Sequence, residues 1–369
     1  MASEGRAVID ILGAADLIAK GQKRPESIIA GMLVSGNVPP SLLFTGPEGS
    51  GKELIALSLA ARLNCTDPGA AERCGSCRKT GSLEHPDFHP LYPLPSGPHE
   101  KSMPVILESR RENFFDKGEF GSKNRSIGIE LIRNLIEDLS KQPFEGAYSP
   151  VILFEIHRAT VEAQNAFLKL LEEPPSSAVL ILVTEFPERL LPTILSRCQE
   201  IRFDPLPEET VSSFLEIFYS IEKSESQRLA VLAGGNLRRG AGFLDERFLR
   251  LRNDAVSALK LVLEGKVRQL PLEAERMAHE YTREETGILL KEITALLRQM
   301  LLHCDEALSE RESKAIEEEF GEAGIKAAGR RVITDDIRKA NVASQGLGRN
   351  IDIELMWTQL LLDLAGKWY

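Results

Sequence analysis

A glycine-rich segment near residue 50 has the residue types and spacing of a phosphate-binding loop. Gly46, Gly49, Gly51 and Lys52 lie in GPEGSGK, which fits the pattern G-x-x-x-x-G-K. In such a loop the backbone N–H groups surround phosphate oxygens, the lysine reaches the terminal phosphates, and the following helix contributes its positive N-terminal dipole. The alternative is a glycine-rich turn that binds no ligand. The spacing favours a nucleotide fold.

The residue after Lys52 departs from this pattern. A hydrolytic loop has Ser or Thr there, whose hydroxyl binds Mg²⁺, whereas this chain has Glu53. Two like charges about 4 Å apart cost about 4 kcal/mol at an effective dielectric constant near 20, so this carboxylate repels a bound triphosphate. The substitution disfavours the binding of ATP or ADP as a cofactor, and it disfavours hydrolysis more strongly.

A second element of a hydrolytic site is also altered. A P-loop ATPase normally ends its next core strand in Asp, which binds Mg²⁺, often followed by a Glu that orients water. In this chain the segment VILFE has Phe154 at the Asp position, followed by Glu155. The alternative for Glu155 is an ordinary residue at the end of a strand. Together the two substitutions indicate a nucleotide fold that keeps its structure but has lost the residues for ATP hydrolysis.

Alternating strands and helices must position these residues. The alternation implies an α/β fold whose parallel sheet is covered on both faces. By contrast, residues 92–126 are rich in Pro, Gly, Ser and charge with little periodicity, which predicts a long surface insertion. The apolar runs predict strands at 42–45, 88–91, 151–156, 178–184 and 199–203, and helical periodicity predicts helices at 53–63, 129–141 and 161–173.

The chain divides into three parts by its pattern. Residues 1–206 carry the strand–helix alternation, residues 207–246 predict a few short helices, and residues 247–369 carry helical periodicity without any strand signal. A length of 369 residues agrees with two or three domains. The sequence therefore predicts a nucleotide-fold core, a small helical segment and a helical C-terminal domain.

Composition excludes several classes of protein. The net charge is −10, whereas autonomous nucleic-acid binders usually carry a basic excess, so we expect weak DNA affinity for the isolated chain. The longest aliphatic stretch, at 178–183, is far shorter than the roughly 20 residues of a bilayer span, and the N-terminus lacks a secretory signal pattern. Five cysteines in a chain of this size favour a reducing compartment. We expect a cytoplasmic protein that does not bind membranes.

Two further motifs identify a family resemblance. The segments LKLLEEPP, ending at Pro175, and LPTILSRC, ending at Cys198, strongly resemble bacterial DNA polymerase III clamp-loader subunits of the AAA+ class. The resemblance covers roughly residues 10–245 and implies an AAA+ P-loop core at 1–206, a helical lid at 207–246 and an oligomerising collar at 247–369. In this family the gamma/tau subunits hydrolyse ATP, whereas delta-prime subunits lack the magnesium-binding residues. With Glu53 and Phe154, this chain is similar to the delta-prime type.

The resemblance implies roles for several residues. Arg197, in the SRC motif, would act in trans as an arginine finger on ATP held by an adjacent subunit, and the alternative is an arginine that pairs with a local carboxylate. Arg238 and Thr184 lie at the family's sensor-2 and sensor-1 positions, and both are expected to be vestigial without a nucleotide in cis. The implied partners are the gamma/tau and delta subunits, the sliding clamp and, through the complex, primer-template DNA.

Two other functions stay open at this stage. The first is an ATP-hydrolysing subunit of the gamma/tau type, in which Glu53 would be an unusual metal ligand. The second is an AAA+ adaptor that only holds partners together, in which Arg197 would be dispensable.

The cysteines near residue 70 resemble the zinc module of the same family. That module has a fourth cysteine, and this chain has Thr80 in its place, so the ligand set is incomplete. Either His85 or His89 completes a zinc site, or the cysteines pack together with free thiols. The three candidate ligands, spaced Cys-x₈-Cys-x₂-Cys, are Cys65, Cys74 and Cys77.

Overall fold

The computed structural model describes residues 10–68, 73–95, 99–112, 114–115, 125–308, 310–347 and 351–366. The chain forms two compact units, Met1–Arg239 and Gly240–Tyr369. The first unit contains a parallel sheet with helices, and the described part of the second unit is helical.

A five-stranded parallel sheet is the centre of the first unit. Its strands lie in the order β2-β5-β6-β1-β7, and β1, β5 and β6 are buried along their whole length. Two short strands, β3 and β4, form a separate antiparallel pair. The strands are β1 (Ser41–Thr45), β2 (His89–Leu91), β3 (Leu94–Pro95), β4 (Arg125–Ser126), β5 (Ser149–Leu153), β6 (Ala178–Thr184) and β7 (Gln199–Arg202).

Helices alternate with the strands along the chain in this unit. The α/β class and the parallel sheet predicted from the sequence are therefore confirmed. Short 3₁₀ turns occur at Ile156–Arg158 and Pro187–Arg189. The helices are α1 (Ile11–Gly21), α2 (Lys23–Ser35), α3 (Lys52–Leu63), α4 (Gly75–Gly81), α5 (His99–Glu112), α6 (Ile129–Leu139), α7 (Val161–Glu172), α8 (Pro192–Leu195), α9 (Glu208–Tyr219), α10 (Lys223–Ala233) and α11 (Leu237–Gly242).

The segment 92–126 differs from the sequence prediction. Instead of an irregular surface insertion, it contains β3, β4 and the 14-residue helix α5, with Ile106 and Phe114 each 2% exposed. Pro104 lies inside this helix, and Arg110 is one of its buried residues. Proline disfavours a helix interior and a buried arginine interrupts the apolar stripe, so helical periodicity was hidden.

The second unit is built from amphipathic helices around an apolar core. Trp357, Leu289 and Ile293 are among its fully buried side chains. A capping box between Thr282 and Glu285 fixes the start of the 22-residue helix Arg283–Cys304. A 3₁₀ turn lies at Val267–Gln269, and the helices are α12 (Glu246–Leu263), α13 (Leu270–Glu280), α14 (Arg283–Cys304), α15 (Glu310–Phe320), α16 (Glu322–Gly346) and α17 (Ile353–Ala365).

Within the described residues, no helix combines the length and the apolar character that crossing a bilayer requires. The finer division into core, lid and collar stays a prediction.

Candidate functional site: a degenerate nucleotide site

The glycine-rich loop connects β1 to α3, as a phosphate-binding loop does. Gly49 and Gly51 have φ angles of +72° and +82°, which favour glycine. A Cβ atom on Gly49 would lie 1.9 Å from Asn236 Oδ1, and the Gly49 carbonyl accepts a 3.0 Å hydrogen bond from the Leu237 N–H. The start of α11 therefore lies directly on the loop. The predicted loop residues and Arg238 are brought together.

Lys52 bonds to its own loop. Its side chain is 2% exposed, and Nζ donates a 2.8 Å hydrogen bond to the Pro47 carbonyl oxygen. Burial lowers the pKa of Lys52, and the nearby carboxylates of Glu185 and Glu53 offset only part of that effect. The loop backbone thus accepts one hydrogen bond from the ammonium group that would reach a terminal phosphate.

Glu53 lies between two arginines. Its Oε2 atom is 3.6 Å from Arg110 Nη1 and 3.7 Å from Arg238 Nη2, and the Glu53 side chain is 18% exposed. Arg238 also lies 3.8 Å from Glu48. Burial alone would lower the pKa of Arg238, but the charges of Glu53 and Glu48 outweigh it and raise the pKa. An Arg–Glu–Arg cluster thus stands where a hydrolytic loop places its metal-binding hydroxyl.

An aromatic pair stands at the second altered position. Phe154 follows β5, is fully buried, and stacks on Tyr92 with ring centroids 4.3 Å apart and an interplanar angle of 2°. The guanidinium of Arg110 lies 4.8 Å from the centroid of the Tyr92 ring. Glu155 adopts a left-handed conformation, φ +49°, and pairs with Arg158 at 3.5 Å. The position expected for a metal-binding carboxylate is therefore apolar.

Thr184, at the end of β6, binds its neighbours. Its Oγ1 atom lies 3.1 Å from His157 Nδ1 and accepts a 3.0 Å hydrogen bond from the Phe186 N–H. The sensor-1 role that the family resemblance implies for Thr184 stays a prediction.

Arg197 lies in the short connection between α8 and β7. Its side chain is 35% exposed; Nη1 donates to the Thr193 carbonyl at 3.0 Å and Nη2 donates to Glu172 at 2.9 Å. Arg197 therefore pairs with a local carboxylate, as the alternative interpretation of this residue expects. A guanidinium has five N–H donors, and this arrangement uses two, so the group retains donors for a partner. Its action across a subunit boundary stays a prediction.

The three cysteines of the predicted module converge. Their sulfur atoms all lie within 4.8 Å of one another, with Cys65 and Cys74 at 3.9 Å, and Cys77 packs against Leu12 and Ala61. Burial would raise the pKa of Cys74, but hydrogen bonds from Thr66 and Cys77 lower it to about 6; burial raises that of Cys77 to about 12. The cluster is close enough to ligate one metal ion.

The structure places neither candidate histidine in this cluster. His85 Nδ1 accepts a hydrogen bond from the Asp87 N–H at 3.1 Å, and its Nε2 lies 3.5 Å from Glu145. His89 lies on β2, where burial lowers its pKa. Thr80 Oγ1 donates to the Ser76 carbonyl at 3.1 Å. In the described part of the chain the metal-ligand cluster consists of the three cysteines and includes neither His85 nor His89.

Asp87 has a structural role that no sequence signal indicated. Its carboxylate accepts hydrogen bonds from the backbone N–H groups of Phe144, Glu145 and Gly146. Burial would raise the pKa of Asp87, but these three bonds lower it. The carboxylate therefore holds the loop before β5. The sequence does not reveal this role, because no pattern links residues so far apart.

Comparison with known proteins adds the family. A family model described as DNA polymerase III, delta subunit, matches residues 21–207, about half of the chain. The chain is 30% identical over 213 residues to DNA polymerase III subunit delta' of Bacillus subtilis, covering 57% of this chain and 54% of the relative. It is 27% identical over 231 residues to subunit tau/gamma of Haemophilus influenzae, covering 61% of this chain and 30% of the relative.

The matches thus span about half of the Bacillus relative's length and under a third of the Haemophilus relative's length. Among solved structures, a DNA polymerase III gamma subunit-related protein from Thermotoga maritima aligns with a TM-score of 0.45 and 18% identity, over 94% of this chain and 100% of that chain. The resemblance seen in the SRC and LEEPP segments is confirmed by the family match: this chain belongs to the DNA polymerase III delta-subunit family.

Proposed function

We propose that this chain is the delta-prime-type subunit of a DNA polymerase III clamp loader, and that it hydrolyses no ATP itself. In this proposal it presents Arg197 to ATP held by a neighbouring subunit. The observation that carries it is the contrast between two sites: Glu53 is locked between Arg110 and Arg238, while the Arg197 guanidinium reaches the surface.

The loop residues do not fit a magnesium nucleotide. A triphosphate needs the lysine ammonium and a hydroxyl-bound cation, but Lys52 bonds to Pro47 and Glu53 is paired with arginines. The buried stack of Phe154 on Tyr92 offers no oxygen ligand to a cation. These contacts support a subunit that keeps the nucleotide fold as a scaffold.

Arg197 fits the role of a group acting in trans. A guanidinium is always charged and its planar fork matches phosphate oxygens. Glu172 and the Thr193 carbonyl hold one side of the fork, so the side chain is partly ordered before any partner arrives. The proposed partners are gamma/tau and delta subunits, with the sliding clamp and primer-template DNA reached through the complex in the cytoplasm.

Reconstitution tests this function against its alternatives. We expect the isolated chain to show no ATP turnover, and to join purified gamma/tau and delta subunits in a complex of defined stoichiometry by native mass spectrometry. Steady turnover by the isolated chain that Lys52→Ala removes would instead establish the gamma/tau-type ATPase. Failure to join either subunit would refute the clamp-loader proposal.

Zinc is the metal we propose for the cysteine cluster. Three thiolates suit zinc, and tetrahedral zinc takes a fourth ligand, which the described residues do not supply, so a solvent molecule would complete the set. We expect one zinc per chain by elemental analysis, lost in Cys74→Ser and unchanged in His85→Ala. A metal-free purified chain that takes up no added zinc would show that the thiols only pack.

A further inference from the structure

Two side chains from one segment of the chain contact the altered positions of the degenerate site. Tyr92 and Arg110 both come from residues 92–115, the segment that joins β2 to α5 and continues beyond it. Tyr92 is 2% exposed and Arg110 is 2% exposed. Tyr92 covers Phe154 and Arg110 covers Glu53, so each of the two altered positions of the site contacts one residue of this segment.

The two contacts are linked to each other. The Arg110 guanidinium lies over the Tyr92 ring and donates a 2.6 Å hydrogen bond to the Phe114 carbonyl. A cation above an aromatic face is attracted by the ring's quadrupole, more so when both are withdrawn from water. Tyr92, Arg110 and Phe114 therefore form one unit that faces the site, rather than three separate contacts.

The C-terminal part of this segment is fixed to the body of the first unit at two places. Arg111 Nε donates to the Ser82 carbonyl at 2.8 Å, and Arg111 pairs with Glu84 at 3.4 Å. At the far end the Phe115 ring lies edge-on to Phe214 of α9, with centroids 5.8 Å apart. Several contacts, and not one side chain alone, therefore hold this segment against the first unit.

Charge explains why such an occupant suits this site. A buried carboxylate requires a partner, because withdrawing an unpaired charge from water is costly. In a hydrolytic site Mg²⁺ supplies the positive charge next to the first turn of the helix. Here the Arg110 guanidinium supplies positive charge to Glu53, as Arg238 also does. A metal-bound triphosphate and Arg110 would compete for the same place.

We propose that the described part of residues 92–115, through Tyr92 and Arg110, is the resident occupant of the nucleotide site and excludes magnesium nucleotide from it. This inference rests on the proposed loss of ATPase activity and names the residues that maintain it, Tyr92 and Arg110. Magnesium nucleotide is then excluded both by this occupant and by the lack of metal ligands at positions 53 and 154.

The test restores the missing ligands and then removes the occupant. The full chain carrying Glu53→Thr and Phe154→Asp is compared with the same chain carrying Tyr92→Ala and Arg110→Ala in addition, by titration with a fluorescent ATP analogue and Mg²⁺. We expect at least 100-fold tighter binding in the second chain. Adding Arg133→Ala, an exposed arginine of α6, to the first chain instead is the control and leaves the affinity unchanged.

Equal affinity in the two restored chains would overturn the proposal. If either variant fails to fold by circular dichroism, hydrogen exchange of the unaltered chain with millimolar ATP and Mg²⁺ decides. Two outcomes support exclusion by the occupant. In the first, exchange is unchanged in the loop at 46–53 and in the helix at 99–112. In the second, the loop becomes protected while the helix exchanges faster. Protection of the loop while the helix stays protected overturns the proposal. These readouts use the isolated chain, so they are independent of whether Arg197 acts in a complex.

Discussion

Replacing Arg197 by Ala is expected to slow ATP hydrolysis about 10³-fold at the neighbouring subunit's site to which the proposed function assigns it. The physical reason is that an arginine finger neutralises charge that develops on the transferred phosphoryl group, and no other described residue of the SRC connection is an arginine. The measurement is single-turnover hydrolysis by the reconstituted complex, with clamp loading followed in parallel.

Arg202→Ala is the matched control for this change. Arg202 is also exposed and lies at the end of β7, five positions after Arg197. Because the Arg197 side chain is partly exposed and its ion pair lies at the surface, removing it should leave folding and assembly intact. A complex that hydrolyses ATP and loads clamps at the normal rate with Arg197→Ala would favour the adaptor function, in which Arg197 is dispensable.

Replacing Glu53 by Thr is expected to lower the free energy of unfolding by about 3 kcal/mol. The change restores the hydroxyl of a hydrolytic loop, yet it removes the carboxylate that Arg110 and Arg238 share. Arg110 is buried, and it would lose the carboxylate that pairs with it among the described residues. Urea denaturation followed by circular dichroism measures the difference.

Glu130→Thr provides the control because it makes the same change in the first turn of α6. Glu130 is exposed and pairs with Arg133 at the surface, so its loss should cost less than about 1 kcal/mol. Adding Arg110→Leu to Glu53→Thr should recover part of the lost stability, since the buried Arg110 charge is then removed together with its partner. If Glu53→Thr is as stable as the natural chain, the cluster does not hold the site together.

The parallel sheet was predictable from the sequence because its three central strands, β1, β5 and β6, are buried on both faces. Apolar runs such as Ala178–Thr184 have no polar alternation, and the structure confirms that strand with the same bounds. The helix α6 was predictable for a similar reason, since Leu131, Ile132, Leu135 and Leu139 form one buried face. Local periodicity carries this information within a single segment.

The residues that contact the two altered positions of the site were not predictable in the same way. The substitutions Glu53 and Phe154 are visible in the motif, but their partners Arg110 and Tyr92 lie far along the chain in a segment with a polar composition. Asp87 is another case, because its partners are backbone groups, which leave no mark on side-chain patterns. Contacts between distant segments depend on tertiary packing.

The Arg–Glu–Arg cluster has a consequence for how such a chain can evolve. Each single substitution back toward a metal-binding motif leaves a charge stranded: a hydroxyl at position 53 strands Arg110, and an acid at position 154 would be pressed against the buried Tyr92 ring. Each of these two single substitutions is therefore expected to be less stable than the natural chain. A return to a metal-binding site requires Arg110 and Tyr92 to change together with positions 53 and 154, which makes the change by separate single mutations unfavourable.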